Sequence, residues 1–114
     1  LKSLAGAKTR LEIAQAQAFV RNHLGETIYL AGVCREIGLS TSHFSTLFRK
    51  ETGMKFFDFV NRLRVAEAKK LLEKTSASIL EIALTCGFET LSHFNRVYRK
   101  LEGHSPAEFR KLKS

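Results

Sequence analysis

Apolar residues along the chain recur at three- and four-residue spacing and nowhere alternate with polar ones over the length of a strand. That pattern predicts helices throughout. The first is expected at about 8–24, with Ile13, Ala16, Phe19, Val20 and Leu24 on one face and Gly25 as its stop. Six more follow, at about 29–37, 41–51, 56–74, 79–86, 91–101 and 106–112. The stretch "LKSLAGAKTR" (1–10) has no clear apolar period and reads as the end of a linker, which leaves 11–114 as the folded domain.

Start and stop signals fit these elements. Ser40 precedes the third helix as an N-cap, and Gly53 closes it. Ser78 with Glu81 spells a capping box before the fifth, and Ser105-Pro106-Ala107-Glu108 spells another before the seventh. Proline at the first helical position loses nothing, because its missing N–H would have had no partner there. Gly53 and Gly103 each follow a basic last turn, the charge a helix C-terminus prefers.

The chain also repeats itself. "HFSTLFRKETG" (43–53) returns as "HFNRVYRKLEG" (93–103). At an offset of 50, His43/His93, Phe44/Phe94, Arg49/Arg99, Lys50/Lys100, Gly53/Gly103 and Phe59/Phe109 are identical. Upstream the offset is 49, so that Leu30, Val33, Cys34 and Gly38 match Ile79, Ile82, Ala83 and Gly87. The second copy therefore carries one extra residue between Gly87 and Thr90, in a turn, where insertions are tolerated.

Each copy reads as a short helix with a small central residue (Cys34, Ala83), a glycine (Gly38, Gly87), a tight turn and a capped second helix. That is helix-turn-helix spelling. In the second helices, Phe44, Leu47 and Phe48, and likewise Phe94, Val97 and Tyr98, form an i, i+3, i+4 stripe that belongs in a core. What points outward is Ser42, Ser45, Thr46 and Arg49 in one copy, and Leu91, Ser92, Asn95, Arg96 and Arg99 in the other. Short or hydrogen-bonding residues come first and positive charge behind. A recognition helix needs that order, with base edges met by its N-terminal half and phosphates by the flanking cations.

Charge strengthens the reading. Nineteen Lys and Arg against eleven Asp and Glu give a net charge of +8, which suits a polyanionic partner. A 44% hydrophobic content suffices for one core, and no apolar run is long enough to span a bilayer. The two cysteines have no CxxC spacing and the four histidines no HxxxH pairing, so neither metal nor other cofactor is expected, and the thiols are expected buried and free. No catalytic triad or phosphate-cradling glycine loop is present, and Cys86 with His93 is a poor nucleophile–base pair because Cys86 falls on an apolar face. An enzyme is not expected.

"GLSTSHFSTLFRKETG" (38–53), "RLRVAEAKKLL" (62–72), "ILEIALTCGFETLSHFNRVYRK" (79–100) and "GHSPAEFRK" (103–111) together resemble the DNA-binding domain of the AraC/XylS family of bacterial transcription regulators. The resemblance implies an all-α fold of tandem, homeodomain-like type. Two helix-turn-helix units, about 29–53 and 79–103, are joined by a linking helix at 56–74, and a closing helix lies at 106–112. It implies sequence-specific binding of double-stranded promoter DNA, activation or repression of transcription, RNA polymerase as a second partner and a cytoplasmic site at the nucleoid, with no membrane. It also implies an N-terminal sensing or dimerisation domain in the whole protein. Leu1 in place of Met fits an excised C-terminal domain.

The family's base-facing positions fall on Ser42, Ser45 and Thr46 and on Leu91, Ser92, Asn95 and Arg96. Arg49, Lys50, Lys55, Arg99 and Lys100 are the expected phosphate contacts, and Arg64 and Arg110 match positions expected to form ion pairs or caps. Arg96 can pair bidentately with guanine and Asn95 with adenine, whereas the first copy offers hydroxyls only. The second unit is therefore expected to carry more of the direct base reading, and the first more of the shape and backbone binding. The alternative is a helix-turn-helix used to dock a protein.

Overall fold

The structure is a computed structural model that describes residues 4–113. Among them the chain forms seven α-helices and no strand: α1 (Leu4–Asn22), α2 (Leu30–Ile37), α3 (Thr41–Thr52), α4 (Phe56–Lys74), α5 (Ile79–Thr85), α6 (Leu91–Glu102) and α7 (Pro106–Lys113).

Hydroxyls start several of these helices. Ser40, Ser78 and Thr90 accept the backbone N–H of His43, Glu81 and His93, each in a first turn that would otherwise leave the donor unpaired. At Ser105 the box is reciprocal, because Glu108 N–H donates to Ser105 Oγ and Ser105 N–H donates to Glu108 Oε1. Among the described residues Ser78 and Glu81 make only the first half of that exchange.

Helix α1 departs most from the expected bounds. It begins at Leu4, inside the stretch read as linker, and residues 1–3 of that stretch lie outside the described residues. Leu4 is 90% and Leu11 66% exposed, so this first part buries no apolar stripe and left none to read in the sequence. Ala7, Lys8 and Arg10 in this stretch have strong helix propensity and favour the extension. At the other end α1 stops at Asn22, before Gly25. The His23 ring reaches back to the Phe19 carbonyl at 2.8 Å and stacks on the Phe19 ring, so side chain replaces backbone at the end of the helix. Leu24 then lies beyond the helix, and Phe19 is half-buried.

Two units each gather a core. The first takes the residues up to His23 and Thr27–Val60; the second takes Leu24–Glu26 and everything from Asn61 onward. In the first, Ile13, Ala16 and Val20 of α1 and Val33 and Cys34 of α2 are buried with an aromatic group. The Phe48 ring meets Phe44, Phe56 and Phe59 at centroid distances of 5.4–5.6 Å. In the second, Val65, Ala68 and Leu72 of α4 pack with Ile82, Ala83, Phe88, Phe94, Tyr98 and Phe109. Helix α4 is unbroken and supplies Phe56–Val60 to the first unit and its remainder to the second.

Tyr98 takes the place that Phe48 holds in the first copy. Its hydroxyl is buried with no hydrogen-bond partner among the described residues. Burial, with a smaller contribution from Glu102, pushes its pKa up to about 12. A buried hydroxyl without a partner costs stability, so Tyr98→Phe should leave the fold unchanged or stabilise it by about 1 kcal/mol. Urea unfolding measures this, and a loss of comparable size would mean that the hydroxyl is satisfied after all.

Candidate nucleic-acid interface

The two helix-turn-helix turns are closed by the same bond. Leu39 N–H reaches Cys34 O at 3.0 Å, and Phe88 N–H reaches Ala83 O at 3.0 Å, each spanning five residues back along the chain. This six-to-one closure needs a residue with positive φ at the turn. Gly38 and Gly87 supply it, at φ 85° and 95°. The residue after the glycine then turns inward. Phe88 is buried and Leu39 half-buried, which anchors the start of α6 and of α3 to their own units.

That anchoring decides which face of each helix is left outside. In α3, Phe44 and Phe48 are buried and Leu47 is half-buried, while Ser42, Ser45, Thr46, Arg49 and Lys50 are exposed. In α6, Phe94 and Tyr98 are buried and Val97 is half-buried, while Leu91, Ser92, Asn95, Arg96, Arg99 and Lys100 are exposed. Lys55, just ahead of α4, is exposed too. Every residue expected to face bases or phosphates thus lies on the surface of its unit, and those of α3 and α6 lie outside the buried stripe of their helix. In the first unit Ser45, Thr46, Arg49 and Lys55 share a groove of about 420 Å³ whose apolar wall includes Leu30, Phe56 and Phe57.

The paired histidines take different surroundings. His43 is exposed, whereas the half-buried His93 ring meets the Phe88 ring edge-on at 5.5 Å. Among the described residues no cluster of His, Cys, Asp or Glu could hold a metal ion. Both thiols are free and buried. Burial is the main cause that pushes Cys86 up to about 11, Glu67 adds to it and Arg64 opposes it, so the group is a protonated thiol at neutral pH and a poor nucleophile.

Arg64 and Arg110 point into the second unit and work on the backbone. Arg64 is 8% exposed and donates from Nε to Leu24 O at 3.2 Å and from a terminal nitrogen to Glu26 O at 2.9 Å. Arg110 donates to the carbonyls of Leu72, Thr75 and Ala77, where the chain leaves α4 for α5. Both act as caps for carbonyls that no helix satisfies.

One contact at an expected site residue has no signal in the sequence. Arg99 donates to Glu108 Oε1 at 3.1 Å, so this expected phosphate contact already has an acidic partner. Glu108 is recognisable in the sequence as a capping residue. Its second role depends on how the chain turns between α6 and α7.

Residues 33–112 match the family model of a helix-turn-helix domain. The arabinose operon regulatory protein of Escherichia coli strain K12 is 32% identical over 99 residues, covering 86% of this chain and 34% of the relative. The chain therefore spans about a third of the length of the curated relatives it matches. A Chromobacterium violaceum transcriptional regulator described as AraC-type superposes with a TM-score of 0.84 at 27% identity, covering 95% of this chain and 96% of that one. The DNA-binding domain of AdpA, a global transcriptional factor solved in complex with a target DNA, superposes with a TM-score of 0.83 at 29% identity, covering 88% and 90%.

Proposed function

The chain belongs to the AraC/XylS family of transcription regulators, and from that premise we propose that α3 and α6 are two recognition helices that read successive major grooves of a promoter. DNA binding and transcription regulation come with the family. The observation that carries the finer reading is the shared division of both helices, with an aromatic stripe buried on one side and short polar residues followed by cations exposed on the other. A single chain with two such helices meets two grooves without dimerising, which a one-unit helix-turn-helix protein cannot do.

The two helices divide the work. Arg96 and Asn95 have the reach and the donor pattern for direct contact with guanine and adenine. Ser42, Ser45 and Thr46 suit water-mediated or shape-dependent contact, with Arg49, Lys50 and Lys55 on phosphates. RNA polymerase is the proposed second partner, and the greater length of the relatives supports a sensing or dimerisation domain elsewhere in the whole protein. A regulator of this kind works on DNA at the nucleoid, in the bacterial cytoplasm. No described helix is long and apolar enough to cross a membrane.

Selection from a random duplex library, repeated at two salt concentrations, tests the reading. Two enriched blocks about one helical turn apart are expected. Arg96→Ala should cost about 1–2 kcal/mol on the selected site and blur the base preference in one block. Arg49→Ala should weaken all sequences alike and lower the salt slope by about 1. Uniform weakening by Arg96→Ala would overturn its role as a base reader. Retention that ignores salt would favour protein docking over DNA.

A further inference from the structure

Arg49 and Arg99 hold the same place in the two copies, and each is followed nine residues later by an acid, Asp58 or Glu108. Their surroundings differ. Arg99 donates to Glu108 Oε1 at 3.1 Å, and the same oxygen accepts Ser105 N–H at 3.1 Å. Glu108 N–H in turn donates to Ser105 Oγ at 3.0 Å. The carboxylate is held at the first turn of α7 by the capping box and presented to the guanidinium.

The first copy lacks this arrangement. Lys55 stands where the second copy has Ser105, and Asp58 is one methylene shorter than Glu108. No ion pair within 4.0 Å joins Arg49 to Asp58 among the described residues. At these three matched positions the first copy has Arg49, Lys55 and Asp58. The second has Arg99, Ser105 and Glu108, with Arg99 already paired to Glu108.

Building on the DNA reading above, we infer that Glu108 sets DNA affinity by competing with a backbone phosphate for the Arg99 guanidinium. The Arg99–Glu108 pair is exposed, and exposed pairs are weak, so a phosphate can displace the carboxylate. The displaced carboxylate cannot swing far, because Ser105 still holds it. It remains an anion beside another anion, and the repulsion weakens the grip of the second copy on the backbone. Its charge is secure at neutral pH, because the Ser105 N–H, then the Ser105 hydroxyl and Arg99, lower the Glu108 pKa from the ordinary carboxylate value. Since phosphates carry no sequence information, the restraint acts alike on every site.

Glu108→Gln isolates the charge, because a glutamine oxygen can still accept Ser105 N–H and keep the cap. The parent, Glu108→Gln, Arg99→Gln and the double variant are titrated with the selected duplex and with a scrambled one, at about 50 and 200 mM salt. Glu108→Gln should bind both duplexes more tightly. Its affinity should fall about threefold more steeply than the parent's across that range, the mark of one added phosphate contact. The gain should vanish when Arg99 is glutamine. Unchanged or weaker binding by Glu108→Gln, with its thermal melt intact and the parent binding normally, overturns the inference and makes Glu108 a positioning residue for Arg99 or a bystander. A gain that persists without Arg99 also overturns it. A parent that shows no salt-dependent binding to either duplex sinks the DNA reading itself, and this inference with it.

Discussion

Gly87→Ala should cost about 2–5 kcal/mol of stability, while Gly38→Ala, at the matching turn of the first unit, should cost about 1–2 kcal/mol. Both glycines sit in the left-handed region, at φ 95° and 85°, so both alanines meet the same backbone strain. They differ in space. A Cβ on Gly38 would have no neighbour within 4 Å. A Cβ on Gly87 would stand 2.4 Å from Leu24 O and 2.8 Å from Arg64 Nε. Neither can move aside cheaply, because Leu24 O accepts the Arg64 Nε hydrogen at 3.2 Å. Relieving the overlap means moving the backbone at Leu24 or breaking that bond. Urea unfolding of both variants, read beside hydrogen exchange in α5 and α6, measures the difference. Equal losses at the two glycines would show that the Leu24–Glu26 segment is not held against the Gly87 turn.

Arg64→Met should destabilise the second unit by about 2–4 kcal/mol, since a hydrogen bond from a charged donor is worth about 1.5–3 kcal/mol and two are lost, with partial replacement by water. Methionine keeps most of the apolar stem, so the loss reports the guanidinium. Its fork reaches Leu24 O and Glu26 O together, at 3.2 and 2.9 Å. Arg64→Lys should recover less than half of the loss, because one ammonium on a single stem cannot copy that fork. For a domain near 100 residues the change corresponds to a fall in melting temperature of roughly 8–16 °C, which calorimetry resolves. The salt slope of DNA binding should stay as in the parent, since the side chain is 8% exposed and spent on the backbone. A lower slope with an unchanged melting temperature would move Arg64 to the DNA surface.

Much of the fold was legible because it is written locally. Each hydroxyl N-cap joins residues three apart, as in Ser40–His43 and Thr90–His93, and the apolar stripes of α3 and α6 repeat within one or two turns. The duplication doubles every such signal, so each turn glycine and each outward face has a counterpart in the other copy. Because a helix buries one face, finding the aromatic stripe also located the exposed polar face. The surface position of Asn95 and Arg96 follows from Phe94 and Tyr98.

Helix α1 differs from its apolar pattern at both ends, for physical reasons. Leu4 and Leu11 are exposed, so its first turns show no large apolar stripe, and its last turn is ended by the His23 ring taking the Phe19 carbonyl. The remaining contacts reach beyond a turn or two of a single helix. Arg64 serves carbonyls 40 and 38 residues away, Gly87 packs against Leu24, and Glu108 meets Arg99 across the turn between α6 and α7. The sequence by itself determined the helices from α2 onward, the duplication, the family and the polar faces, since hydrogen bonds and side-chain periods within a turn or two depend on neighbouring residues alone. Only the tertiary structure decided which carbonyls Arg64 caps, why one turn glycine is crowded and the other is not, and that one phosphate-contact candidate faces a carboxylate. Those depend on where distant segments come to rest, and no local period records that.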